Sequence, residues 1–143
     1  LAEAVQRMVD EQNVVSRQYK MAAACKAGWA HLGLANLVEE EGRRREHARA
    51  ALDASHTARL IFDTFGFTQV IECVSEEVFY LHSLALRANG LAEEADVFLE
   101  KAYNELMRKH ALIPPQSDFA KTFLENLSCH CHIVADHLEQ HAI

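Results

Sequence analysis

The residues with the most chemistry in this chain lie near its C-terminus. Cys129, His130, Cys131 and His132 stand in succession, followed by Asp136, His137 and His141. Thiolates and imidazoles are the ligands that zinc and copper prefer. His137 and His141 are four positions apart, as are His132 and Asp136, so each pair would share one face of a helix. A structural zinc site, however, uses cysteines two to four residues apart with a second pair at a distance. C-x-C beside histidines departs from that pattern. On the other reading Cys131 is a small core residue, and the histidines are solvated positions near a helix C-terminus, where an imidazolium is favoured. The expectation is no metal and no cofactor, with Cys129, Cys131, His132, His137 and His141 as the alternative metal-binding set.

Other chemistries lack their motifs. A di-metal carboxylate bundle needs E-x-x-H on its helices, but the residues three before His47, His82, His110 and His137 are Arg44, Phe79, Met107 and Val134. No phosphate-cradling glycine loop and no nucleophile elbow occurs, so the chain is not expected to be an enzyme. The formal charge is −7, from 21 acids against 14 bases. That balance disfavours nucleic acid, whose phosphates require a basic face. The one basic run, Arg43-Arg44-Arg45, follows Glu39-Glu40-Glu41 and precedes Glu46, which largely cancel it.

The elements that must position these residues are helices. The 143 residues contain only 5 Gly and 2 Pro, so turns are few and the segments between them long. Val15, Tyr19, Ala22, Cys25, Trp29, Leu32 and Asn36 recur by threes and fours, predicting a helix over 13–40. Residues 1–12 continue the same period. Gly42 is expected as a left-handed C-cap. A second helix then runs to Thr64, with Ala48, Ala51, Leu52, Ser55, Ala58, Leu60, Ile61 and Phe65 inward, stopped at Gly66. The stretch 67–74 is expected as a loop or irregular turn, because an isolated strand has nothing to pair with. Ser75 is an expected N-cap, opening a helix that buries Val78, Leu81, Leu84, Ala85 and Ala88 before Asn89-Gly90. The next runs from Leu91 to His110 and ends before Pro114-Pro115. Ser117 and Ser128 are expected caps of two last helices. Six helices with short connections predict antiparallel neighbours, an all-α fold.

The order of certain motifs resembles the tetratricopeptide-repeat family. Trp29-Ala-His-Leu32-Gly33 resembles the W-x-x-L-G of its first helix. Gly90, Ala95, Leu99 and Ala102 resemble its second helix, and Ala48, Leu52 and Ser55 after Gly42 echo the same pattern. The match is long and degenerate: Gly42 and Gly90 lie 48 positions apart where the family repeats at about 34. Asn36 stands where a tyrosine is usual, and Leu81-His82-Ser83 where the W-x-x-L-G would recur. In this respect the chain is similar to the C-terminal repeat regions of large bacterial signal-transduction ATPases and transcriptional regulators.

The resemblance implies one helical-repeat domain over 1–143: a long repeat at about 13–66, a second at 75–112, and capping helices at 117–143. It implies an α-α superhelix serving protein contacts or regulation, with a protein or peptide partner. By analogy the partner would meet the first helix of each pair, pointing to Lys20 and His31 on one, and to Tyr80, Ser83 and Arg87 on another. Two repeats fall short of the three or so that such arrays need, so either a homo-oligomer or a longer array is expected. The chain begins at Leu1 without a methionine, and the expectation is a fragment of a longer protein. No apolar run reaches the roughly 18 residues that a membrane span takes, and the four cysteines do not form a secreted framework. Reduced thiols and a cytoplasmic location are expected.

Overall fold

The computed structural model of the chain describes residues 14–66 and 73–142. The expected continuation of a helix through 1–12 and most of the 67–74 segment lie outside those residues. Six helices are described: α1 (Val14–Leu37), α2 (Glu41–Phe65), α3 (Ser75–Ala88), α4 (Ala92–His110), α5 (Asp118–Glu125) and α6 (Ser128–His141). The fold is all-α, and none of these helices is long and apolar enough to cross a membrane.

Consecutive helices pair antiparallel. In the first hairpin Arg17 lies over the Phe65 ring, while further along the pair His31 meets His47. In the second, Ser75 bonds Glu105 at one end and Ser83 bonds the Ala95 carbonyl near the other. In the short third, α5 turns directly into α6, where the Phe123 carbonyl meets His130. Two apolar clusters join the pairs. One packs Met21, Ala51, Ile61, Val78 and Leu81 between α1, α2 and α3. The other packs Tyr80, Leu99, Leu106 and Ile133 between α3, α4 and α6. Helix α3 belongs to both clusters, so it is buried on nearly every side.

Small residues set the spacing. A Cβ on Gly28 would stand 2.9 Å from Leu81 Cδ2, so its hydrogen side chain lets α1 approach α3. Gly66 ends α2 in the left-handed region at φ 63°, where glycine carries no steric penalty, and its N–H bonds the Phe62 carbonyl. Ser117 caps α5 as expected, its Oγ accepting from Ala120 N. The acidic first turn of α4 (Glu93, Glu94) and its basic last turn (Arg108, Lys109, His110) complement the helix dipole.

Several local expectations change. Gly42 is no C-cap; it sits in the first turn of α2, and the connection is Val38 to Glu40. Three glutamates and three arginines around it sustain that turn through pairs such as Arg45–Glu41, whereas a left-handed glycine would have broken it. Ser75 and Ser128 are the first residues of their helices rather than caps, which fall on Val74 and Leu127. Ser75 instead gives its hydroxyl to Glu105. Tyr19, Asn36, Leu60, Phe65 and Ala88, read as inward, are exposed.

The expectation of reduced thiols fails for one pair: Cys25 and Cys73 form a disulfide with Cα atoms 6.7 Å apart. Nothing in their spacing of 48 residues announced it. Folding brings the middle of α1 beside the start of α3, within bridging reach. Closing a loop of that length stabilises a fold by about 4 kcal/mol in the chain-entropy account.

Candidate functional site

Helices α3, α4 and α6 enclose a cleft of about 460 Å³. Leu84 and Leu99 supply apolar wall, and Ser83, Arg87, Asp96, Asp136, Glu139 and Gln140 supply polar wall. The hydroxyl of Ser83 donates to the Ala95 carbonyl at 2.7 Å, fixing α3 against α4. Arg87 reaches Asp96 at 2.5 Å across the cleft mouth. Tyr80 donates to Asp136 Oδ2 at 2.7 Å, tying α6 to α3. Burial, and then the Asp136 carboxylate, push the Tyr80 phenol well above its ordinary pKa, so it stays a neutral donor.

These positions divide the five partner-contact expectations. Ser83 and Arg87 come together in the cleft wall, and Tyr80 backs that wall through Asp136. Tyr80 and Ser83 are buried rather than presented on an outer face. The reason is that a helix flanked by four others has no single inward stripe, so the 3.6-residue period understates its burial. Lys20 is exposed on α1, and His31 Nδ1 faces His47 Nδ1 at 3.1 Å, one ring donating to the other. Neither Lys20 nor His31 lines the cleft.

The C-terminal Cys/His run is split by helical geometry. Residues two apart on a helix point to different sides, and the eight positions from Cys129 to His137 span about 12 Å of axis. Cys131 Sγ turns to the Leu124 and Glu125 carbonyls, and His132 is exposed. Cys129 is partly buried, and burial, then the Glu77 and Glu76 carboxylates, push its thiol up to about 12. The five-residue set therefore does not assemble, and only its two last histidines meet.

His130, which lies in the same run, is internal. Its Nε2 stands 2.9 Å from Glu76 Oε1 and its Nδ1 2.7 Å from the Phe123 carbonyl, so an imidazolium would donate to both. Glu76 is 1% exposed and also pairs with Lys109. Burial alone would raise the Glu76 carboxyl. The bonds from His130 and Lys109 more than offset that, and hold it at about 2.

At the far end of α6, His137 Nε2 and His141 Nε2 approach one oxygen, Glu100 Oε2 on α4, at 2.8 and 3.2 Å. The three donor atoms lie within 4.8 Å of one another, the one group of this kind among the described residues. The Tyr103 ring stacks on His137 at 3.6 Å and 1°, holding the imidazole in plane. Bonds from His141 foremost, then His137, keep the Glu100 carboxyl below its ordinary value. Sequence reasoning paired His137 with His141 but missed Glu100, Glu76 and Lys109, which no local motif marks.

No protein-family model matches this chain, and neither a curated protein nor a solved structure matches it.

Proposed function

We propose that this chain is a protein-interaction or regulatory scaffold module of the tetratricopeptide-like kind, with no catalysis of its own. The observation that carries the reading is the cleft between α3, α4 and α6, in which an apolar wall meets Arg87, Asp96, Asp136 and Glu139. Mixed walls of this sort suit a peptide that buries apolar side chains and orients itself by charge. The carboxylates outnumber the one guanidinium, which Asp96 already pairs. The fitting partner is a peptide carrying lysine or arginine.

Register supports the repeat character. The Cys25–Cys73 bridge and the bond from the Trp29 indole N–H to Glu77 both join positions 48 residues apart. A constant offset is what stacking one helix pair on a longer copy of itself produces. A role in a bacterial signalling or regulatory protein rests on the family resemblance.

Selection from a displayed random-peptide library tests the proposal. Enriched sequences should be basic, and Glu139→Lys should weaken them at least about tenfold, as loss of a central contact does. Lys121→Glu on α5 should not. Failure to enrich any sequence, or binding indifferent to Glu139→Lys, would count against the cleft.

A further inference from the structure

The interaction reading gives no role to His137 and His141 on α6, and with Glu100 they hold a donor set. Several histidines and carboxylates meet in this fold, but their circumstances differ. The Glu76–His130 pair is enclosed and already bonded to Lys109 and Phe123, which leaves no room for an ion. His31 and His47 face each other without a carboxylate. Glu100, His137 and His141 alone among the described residues bring three ligand atoms together, and His141 is 56% exposed by its side chain.

We infer that Glu100, His137 and His141 form a binding site for a divalent transition metal of the Zn²⁺ class, which clamps α6 to α4. Ligand atoms around tetrahedral zinc, with bonds of about 2.0–2.1 Å, stand about 3.3 Å from one another. The observed 2.8 and 3.2 Å separations lie within about half an ångström of that. The i,i+4 spacing puts both imidazoles on one face of α6, and the Tyr103 stack fixes one of them. Two imidazoles and a carboxylate form a nitrogen–oxygen set suited to zinc, whereas calcium and magnesium take oxygen alone. The metal displaces the proton on each Nε2, so two hydrogen bonds to Glu100 become three coordinate bonds. Water fills the fourth position on the exposed side.

The test uses the whole chain without a histidine tag, stripped of metal by chelator and titrated calorimetrically with ZnCl₂. One Zn²⁺ should bind per chain and raise the melting temperature, because the unfolded chain does not hold the site. His141→Ala and Glu100→Gln, both at solvent-facing positions, should each weaken binding by at least about tenfold, and His132→Ala should not. Circular dichroism verifies that each variant folds. Cobalt(II) in place of zinc should show no thiolate charge-transfer absorption, since neither free cysteine takes part. Absence of binding below millimolar zinc, an affinity indifferent to His141→Ala, or a thiolate band would each overturn the site.

Discussion

Helix α6 sets a histidine against a carboxylate at two places, Glu76 on α3 and Glu100 on α4, and the two differ in almost everything except residue type. At one, Glu76 and His130 are nearly sealed from solvent, and every strong partner they require lies within the fold. At the other, Glu100 and His141 stay substantially exposed, and among the described residues Glu100 bonds His137 and His141. Removing a charge from water costs several kcal/mol, recovered only when partners surround it. The internal site is therefore committed to holding α3, α4 and α6 together. The outer site carries little stabilising energy, and its donor atoms remain available to an ion.

Breaking the internal site should have the largest effect. Glu76→Ala strands the buried Lys109 without its counter-charge and His130 without its partner, and should cost on the order of 3–5 kcal/mol in urea unfolding. A loss under about 1 kcal/mol would erase the contrast between the two sites.

Acid should expose burial next, in two steps. His82 is buried against Ser55, and burial, then the neighbouring Arg59, His56 and Lys101, lower its pKa from 6.5 to about 4. The folded state resists the proton that the unfolded state accepts, so stability present above pH 6.5 falls as pH drops toward 4. His82→Gln should flatten that step. Glu76, lowered from 4.5 to about 2, governs the next: its contribution is full above pH 4.5 and is lost on descending to 2. A pH–stability profile unchanged in Glu76→Gln between those limits would contradict the assignment.

Tyr80→Phe removes the bond to Asp136 and should cost about 1 kcal/mol, read from thermal unfolding. Smallest of all, Glu100→Gln in metal-free protein should change stability by no more than about 1 kcal/mol, as exposed pairs do. A larger loss would make the outer site structural too.

The helices were legible because their breaks are chemical: Gly66, Asn89-Gly90, Pro114-Pro115 and the Ser117 cap each act on the backbone locally. Gly42 misled because glycine permits a left-handed turn without requiring one, and the surrounding charge pairs carried the helix through it. The burial of Tyr80, Ser83, Glu76 and His82 was not legible, since each depends on how many neighbours α3 acquires. Two of the three residues of the outer site were visible, as the i,i+4 pair of His137 and His141. Glu100 was not, because it lies 37 residues from His137 and only the α4–α6 packing brings it near. The same holds for Cys25 and Cys73.

The central claim is that one helix, α6, makes one histidine site internal against α3 and leaves the other open against α4. A long-range ¹H–¹⁵N spectrum of the imidazole nitrogens, recorded on the whole chain as ZnCl₂ is added, observes both at once. The Nε2 signals of His137 and His141 should shift together and saturate at one equivalent, while those of His130 stay in place. Movement of His130, or no shift at His137 and His141, would contradict the account.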